Sequence, residues 1–268
     1  MSRRSLSVLA LAAATALALT ACSTGDSSQP ADSASGDEFG LVTAGTLTVA
    51  TEGTYRPFSF HDASGDLVGF DVEIAEAVAD KLGLEIQFQE TQWDAIFAGL
   101  DAGRFDLIAN QVSINPEREA KYLFSEPYTV SPGVIVVAED DDSITSFADL
   151  AGKSTAQSLT SNWYELATAS GANVEAVEGW AQAVALLEQG RVDATINDKL
   201  TYLDYEQSEG PTGLKIAAET DDPGYSAFTF TKDKEALVAA IDAALAELRE
   251  EGVLAEISEK YFGADVTQ

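Results

Sequence analysis

The sequence from residue 100 to residue 118 is LDAGRFDLIANQVSINPER. Its apolar run at residues 105–109 predicts a short buried strand, because turn-forming residues bound the run. Asn115 and Pro116 then suit the N-cap and the first position of a helix. Arg118 would lie in the first helical turn, where the helix dipole disfavours a cation by roughly 0.3–1 kcal/mol. Either an anion binds this side chain, or Arg118 is a surface residue paired with a neighbouring glutamate.

The first part of this stretch recurs later in the chain. Residues 100–110, LDAGRFDLIAN, align with residues 187–197, LEQGRVDATIN. Both copies run from a helix end through a glycine stop and an Arg-apolar-Asp triplet into a strand that ends at Asn. The repeat therefore makes Gln111 and Asp198 equivalent, each just beyond the carboxyl end of a strand, where open α/β sheets bind ligands.

Two such strand edges, facing each other across a cleft, would bring Arg118 and Asp198 toward one small molecule. A cation from one edge and an anion from the other suit a zwitterion. An α-amino acid is the obvious candidate, with its carboxylate at Arg118 and its ammonium at Asp198.

Strands and helices alternate around the first copy. Strand patterns lie at residues 47–51, 84–89 and 105–109, and amphipathic helix patterns at 71–82, 93–102, 234–250 and 253–261. Asp71 suits the N-cap of the first of these helices. This alternation predicts an α/β protein with mostly parallel, doubly wound sheets.

Two β-branched runs, at residues 133–138 and 226–231, predict the strands that cross between the lobes. The fold class we predict is two Rossmann-like lobes joined by a two-strand hinge, with the ligand in the cleft between them. Lobe 1 would be discontinuous, with residues 44–132 and 229–268, and lobe 2 would contain residues 133–228.

The amino-terminal segment carries an export pattern. Arg3 and Arg4 precede an apolar stretch at residues 6–19, which ends in the sequence LTAC at Cys22. The pattern resembles a bacterial lipoprotein signal. It implies a signal peptide at residues 1–21 and lipid modification of Cys22, through either the general or the twin-arginine export route.

Residues 22–43 are rich in Ser, Asp and Gly, and we expect them to form a flexible tether. A lipid anchor followed by a tether would hold the folded part at the extracellular face of the cytoplasmic membrane.

Composition excludes several classes of function. The chain has 268 residues and a formal net charge of −30, which argues against binding to nucleic acid or to anionic membrane surfaces. It contains one histidine, His61, and one cysteine. Because this single histidine lies in a polar turn, we expect neither a histidine-based metal site nor a Ser-His-Asp triad. We also expect no metal, no cofactor and a monomer.

Further motifs flank the repeat. They are ATEGTYRPF at residues 50–58, GFDVE at 69–73, FSEPY at 124–128, SLTSNW at 158–163, NDKL at 197–200 and KYFG at 260–263. Together with residues 110–118 they resemble the extracellular solute-binding proteins of polar-amino-acid ABC importers. The resemblance covers residues 47–262 and implies the type II periplasmic-binding-protein fold. It also implies a receptor that delivers an amino acid to an ABC permease and its ATPase.

The resemblance implies a carboxylate clamp and an ammonium acceptor. Arg118 would hold the ligand α-carboxylate with its planar fork, helped by the Ser113 hydroxyl and by backbone N–H groups near Gln111. Asp198 would accept hydrogen bonds from the α-ammonium. Further donors to the carboxylate would come from Thr160, Ser161 and Asn162.

For the ligand side chain, the resemblance implies an apolar wall of Tyr55 and Trp93, with Glu52 beside the polar end. The alternative interpretation is that Tyr55 and Trp93 are core aromatics and that Glu52 is a solvated turn residue. Many relatives have a small residue in place of Gln111 and a glycine-rich loop in place of residues 159–162.

The motifs at residues 110–113, 158–162 and 197–200 look most like the branch that binds L-cystine. Arg56 would then either meet the second carboxylate of cystine or point to solvent. Two alternatives stay open: an enzyme on the same scaffold, dehydratase-like, with Glu52 as general acid or base, and an extracellular amino-acid sensor.

Overall fold

The protein is represented by a computed structural model that describes residues 39–268. The predicted signal peptide, Cys22 and most of the predicted tether lie outside these residues. Within residues 39–268, the helices are too short or too polar to cross a membrane.

Fifteen strands are present in the described residues. They are β1 (Thr46–Thr51), β2 (Thr54–Tyr55), β3 (Ser59–His61), β4 (Leu67–Val68), β5 (Glu85–Glu90), β6 (Leu107–Ile108), β7 (Leu123–Phe124), β8 (Thr129–Ser131), β9 (Gly133–Ala138), β10 (Ser154–Gln157), β11 (Asn173–Ala176), β12 (Thr195–Asp198), β13 (Leu214–Glu219), β14 (Gly224–Ser226) and β15 (Thr229–Phe230). The helices are α1 (Phe70–Leu82), α2 (Trp93–Asp101), α3 (Pro116–Lys121), α4 (Asn162–Ala169), α5 (Trp180–Glu188), α6 (Lys199–Glu209), α7 (Glu235–Glu250) and α8 (Val253–Phe262), with a 3₁₀ turn at Phe147–Leu150.

Two sheets form the centres of the two lobes. The first has the strand order β5-β1-β6-β15-β7, in which β1 is parallel to both β5 and β6. The second has β9 between β12 and β13, and a bridge between Thr155 and Ala194 connects the parallel pair β10-β11 to β12. Each lobe therefore has parallel strands and one strand antiparallel to its neighbours, β15 in the first lobe and β9 in the second, which confirms the predicted α/β class.

The repeat is confirmed at the level of backbone contacts. Gly103 and Gly190 end their helices with φ of 64° and 65°, a left-handed conformation that glycine adopts without strain. Asp106 accepts a hydrogen bond from the backbone N of Thr48 in β1, at 2.9 Å. Its counterpart Asp193 accepts one from the backbone N of Ser154 in β10, at 2.7 Å. Each aspartate thus joins the third strand of a lobe to the first.

The structure corrects the predicted helix start at Asp71. The N-cap of α1 is Gly69, and a Cβ added there would lie 2.2 Å from the Phe58 carbonyl oxygen, so only glycine fits. Asp71 is fully buried and accepts hydrogen bonds from Gln111 N at 2.7 Å, Gln111 Nε2 at 2.6 Å and Tyr128 Oη at 3.1 Å. Asp71 is therefore a core acceptor and not a helix cap.

The strands that pair between the lobes are β8 and β14, which run antiparallel. Gly133–Ala138, predicted as a crossing strand, is instead the central strand β9 of the second sheet. Its alternate side chains pack into two separate clusters, with Val134 and Val136 on one side and Ile135 and Val137 on the other. A strand that is apolar on both faces belongs inside a covered sheet and not in a hinge.

The packed part of the chain also begins before residue 44, the predicted limit of the tether. Phe39 and Leu41 pack against the hydrophobic core of the first lobe, and Val42 N donates to Asp106 Oδ1 at 2.8 Å. Lys234 Nζ lies 3.2 Å from the same carboxylate. Residues 39–43 therefore belong to the folded unit.

The unequal burial of the two repeat aspartates predicts unequal stability effects. Asp106→Ala removes a fully buried carboxylate and leaves two backbone N–H groups and the Lys234 ammonium without an acceptor. We expect the free energy of unfolding to fall by about 3 kcal/mol or more. Asp193→Ala, at an exposed site, should cost about 1 kcal/mol. Urea denaturation measures both, and equal losses would contradict the assigned roles.

Candidate functional site

A cavity of about 380 Å³ lies between the two lobes. This volume is in the range of small-molecule sites. Six of the residues predicted to bind ligand line it: Glu52, Tyr55, Trp93, Gln111, Ser161 and Asn162. The other four, Ser113, Arg118, Thr160 and Asp198, are not part of its lining, and their contacts are given below.

Arg118 lies in the first turn of α3, as predicted. Asn115 is the N-cap, Pro116 is at the first position, and the Asn115 side chain accepts from Arg118 N at 2.8 Å. The guanidinium is buried, with its central carbon 5.5 Å from the ring centre of Trp93 and 5.4 Å from that of Phe97.

Among the residues that the structure covers, the only hydrogen-bond acceptor of this guanidinium is the Ser113 carbonyl, at 2.9 Å from Nη1. Glu165 and Glu117 act on it only at longer range. Burial lowers the pKa of Arg118 to about 10, so the side chain is charged at neutral pH. A buried cation without a carboxylate partner is costly unless an anion binds to it.

Asp198 ends β12 and is also the N-cap of α6. Its Oδ1 accepts hydrogen bonds from Leu200 N at 2.8 Å and from Ser131 Oγ at 2.7 Å. In the described part of the chain, no protein donor contacts Oδ2. Burial raises the pKa of Asp198 to about 6.

Gln111, the equivalent of Asp198 in the first lobe, has a left-handed backbone with φ of 51°. Its amide nitrogen donates to Asp71 and also to Thr129 Oγ1, at 3.0 Å. The side chain therefore links Asp71 to the first residue of β8, and burial raises the pKa of Asp71 to about 7. Gln111 lines the cavity, but its amide nitrogen is already engaged.

Glu52 is held by the asparagine that ends the first repeat. Asn110 Nδ2 donates to Glu52 Oε2 at 2.7 Å, and Asn110 Oδ1 accepts from Glu52 N at 2.9 Å. Burial is the main reason that the pKa of Glu52 is raised to about 7, and the negative charges of Asp94 and Glu178 contribute less to the same rise. Glu52 is thus a fixed acceptor in the cavity wall and not a solvated turn residue.

Ser161 and Thr160 differ in what they contact. Ser161 is the N-cap of α4 and accepts from Tyr164 N at 3.0 Å. Thr160 donates to Asp94 of the other lobe, from Oγ1 at 2.7 Å and from N at 3.3 Å. Its hydroxyl is therefore engaged by protein.

Sequence reasoning missed part of the second-lobe wall. Trp163, Glu178, Trp180 and Gln182 line the cavity as well. A signal for Trp180 was available, because the spacing that relates Leu100 to Leu187 also relates Trp93 to Trp180, and each tryptophan begins the helix of its repeat.

The two walls touch directly. Tyr55 Oη donates to Asn197 Oδ1 at 2.8 Å and accepts from Thr201 Oγ1 at 3.2 Å. Arg56 Nε lies 3.3 Å from Asp204 Oδ2. With the contact between Thr160 and Asp94, these bonds define a closed arrangement of the lobes.

Metal chemistry has no evident ligand set here. Within residues 39–268, no three His, Cys, Asp or Glu side chains converge as metal ligands would. The polar groups of the site are instead suited to hydrogen bonding: one guanidinium, several carboxylates, amides and hydroxyls.

Comparison with known proteins agrees with this geometry. The chain is 50% identical over 254 residues to an L-cystine-binding protein of Bacillus subtilis (strain 168), covering 94% of both chains. The crystal structure of the L-cystine solute receptor of Neisseria gonorrhoeae, in an unliganded open conformation, is 47% identical and superposes with a TM-score of 0.58. That superposition covers 83% of this chain and 95% of the receptor.

An ancestral arginine-binding protein bound to arginine is only 35% identical, yet it superposes with a TM-score of 0.77, covering 82% of this chain and 99% of that protein. The better fit to a ligand-bound structure agrees with the closed arrangement seen here. The neighbours are type II periplasmic amino-acid-binding proteins, so the predicted fold is confirmed. The model of the bacterial extracellular solute-binding proteins, family 3, matches residues 47–264, and the chain belongs to this family.

Proposed function

We propose that the protein is the lipid-anchored receptor of an ABC importer, and that it captures an amino acid, with L-cystine as the preferred candidate. Closure of two lobes, residues 44–132 with 229–268 and residues 133–228, would trap the ligand before delivery to the permease and its ATPase. The observation that carries the proposal is the buried guanidinium of Arg118, which has no carboxylate partner in the described residues.

The ligand carboxylate would bind at Arg118. Within residues 39–268 the guanidinium donates one hydrogen bond, to the Ser113 carbonyl, so donors remain for a carboxylate. Arg118 stacks against Trp93, which lines the cavity, so one side chain connects the cation to the cavity wall. The Ser113 hydroxyl and the Asn162 amide are further donors in this proposal.

The ligand ammonium would bind at Asp198. Its Oδ2 is the open acceptor, while Oδ1 is fixed by Leu200 and Ser131. Asp71 lies close enough for the charge of Asp198 to raise its pKa, so the region is negative and favours a cation.

The lining of the cavity supports a ligand with more than one ammonium group. It combines the carboxylates of Glu52 and Glu178 with Trp93, Trp163 and Trp180, and among the described residues that line it there is no Lys, Arg or His. Apolar walls with two carboxylates suit a long amino acid with a second ammonium, as cystine has. The names of the two cystine-binding relatives point to the same ligand.

An enzyme on this scaffold is the second candidate, because Glu52 has a pKa of about 7, which suits a general acid or base. The family and the relatives are solute-binding proteins, which favours binding without chemistry. We therefore propose a non-enzymatic, monomeric receptor. An amino-acid sensor would bind the ligand in the same way but would act on a protein other than the permease.

Removal of either charge of the clamp should weaken binding. Arg118→Ala would leave the ligand carboxylate desolvated and unpaired, and Asp198→Ala would do the same to the ligand ammonium. We expect each change to weaken the free energy of binding by about 2–4 kcal/mol. This corresponds to a roughly 30- to 1000-fold higher Kd for L-cystine by isothermal titration calorimetry. Arg104→Ala, at an exposed arginine of the first repeat, is the matched control and should keep the affinity. Near-native binding by Arg118→Ala would contradict the clamp.

Affinity should also fall at acidic pH. Asp198 must be ionised to accept the ammonium, and its pKa in the free protein is about 6, above the ordinary value, because of burial. Binding is therefore strongest above pH 6, and it weakens as pH falls through 6, by about tenfold per unit below the pKa. Titrations at pH 7.5 and 5.0 test this. A pH dependence that persists in Asp198→Asn would show that another group is responsible.

Membrane attachment should depend on Cys22. If Cys22 carries the lipid, Cys22→Ala should move the protein from the membrane fraction to the soluble extracellular fraction, since the lipid is the proposed anchor. Immunoblots of fractionated cells measure the shift. Unchanged membrane association of the variant would rule out this anchor.

A further inference from the structure

Two polar pairs outside the cavity join the lobes. Thr160 of the second lobe donates two hydrogen bonds to Asp94 Oδ1 of the first, from Oγ1 at 2.7 Å and from N at 3.3 Å. Arg56 of the first lobe lies 3.3 Å from Asp204 of the second. None of these four residues lines the cavity.

The pair of Asp94 and Thr160 is built from two helix starts. Asp94 lies in the first turn of α2, directly after the cavity residue Trp93, and Thr160 precedes Ser161, the N-cap of α4. A carboxylate between two helix N-termini is stabilised by both dipoles. Only closed lobes bring the second N-terminus to this carboxylate.

The second pair lies beside Tyr55. The guanidinium carbon of Arg56 is 4.0 Å from the ring centre of Phe60, and this stacking orients the side chain toward α6. Asp204 on α6 follows Thr201, which bonds to Tyr55 Oη. The two pairs thus lie at different ends of the cavity, one beside Trp93 and one beside Tyr55.

We propose that these pairs are latches that stabilise the closed state, and that Thr160 and Arg56 act on closure and not on the ligand. The assignment rests on the proposed function for its effect on binding, but the contacts themselves do not depend on the ligand. Because apparent affinity scales with the population of the binding-competent state, loss of a latch raises Kd by the same factor for every ligand.

The expected factor for each latch is modest. Asp94 and Thr160 are exposed, and Arg56 is half exposed whereas the Asp204 side chain is 15% exposed. Pairs in contact with solvent change an equilibrium roughly two- to fivefold. The loss should appear in the dissociation rate, because the latches form only when the lobes are closed, with or without ligand.

The test compares Thr160→Val, Asp94→Ala, Arg56→Gln and their pairwise combinations, with L-cystine and its analogue L-cystathionine as ligands. Stopped-flow fluorescence can follow binding through the cavity tryptophans. We expect each variant to raise Kd about two- to fivefold, equally for both ligands and through faster dissociation.

The double variants show whether two residues belong to the same latch or to different latches. Asp94→Ala with Thr160→Val should cost no more than the larger single change, because both remove bonds of the same contact. Thr160→Val with Arg56→Gln should multiply the two single factors. Arg191→Gln, which removes an exposed ion pair of 3.4 Å between Arg191 and Glu175 inside the second lobe, is the matched control and should bind as the wild type does. A factor that differs between the two ligands would overturn the proposal and make Thr160 or Arg56 a ligand contact.

A ligand-free measurement keeps this test separate from that of the proposed function. Small-angle X-ray scattering of Thr160→Val with Arg56→Gln should give a larger radius of gyration than the wild type, because more molecules are open. An equal radius would overturn the latch proposal whether or not the wild type binds cystine. Failure of the wild type to bind cystine, with a larger radius in the variant, would count against the ligand and not against the latches.

Discussion

The buried charge of Arg118 is the constraint on which the site depends. The guanidinium stacks against Trp93 and Phe97 and donates to one carbonyl, and in the described residues it has no carboxylate partner. Desolvation of such a cation disfavours the free protein, whereas an incoming carboxylate offsets the cost. The N-cap Asn115 and the proline after it fix the helix start that carries this charge, so local sequence chemistry decides where the proposed anion site lies.

The hinge strand β8 connects the two charged parts of the site. Its first residue, Thr129, is bonded to Gln111, whose amides also bond to Asp71 in the first lobe. Its last residue, Ser131, is bonded to Asp198 in the second lobe. Asp198 is therefore in direct contact with the hinge strand, and a ligand ammonium at Asp198 would act next to the hinge. This arrangement gives binding a direct route to bias the equilibrium between open and closed lobes.

The sequence predicted those features of the fold and the site that depend on short-range sequence patterns. The repeat, the cap of α3, the edge position of Asp198 and the α/β class all follow from spacing and turn chemistry. The failures concern tertiary contacts. Aspartate is a common N-cap residue, but Asp71 is a buried acceptor. The helix begins earlier, because Gly69 is the residue that can approach the Phe58 carbonyl and so becomes the N-cap. The strand at Gly133–Ala138 could not be placed without knowing that both its faces are covered, and Thr160 could not be assigned without its partner Asp94 in the other lobe.

The most direct test of the central claim is a calorimetric comparison of L-cystine with cystamine, which keeps both ammonium groups and the disulfide but lacks both carboxylates. If the buried Arg118 guanidinium requires a carboxylate, cystine binds and cystamine shows no measurable binding at the same concentrations. Cystamine binding as tight as that of cystine would contradict the account, because the cavity would then recognise its ligand without using Arg118.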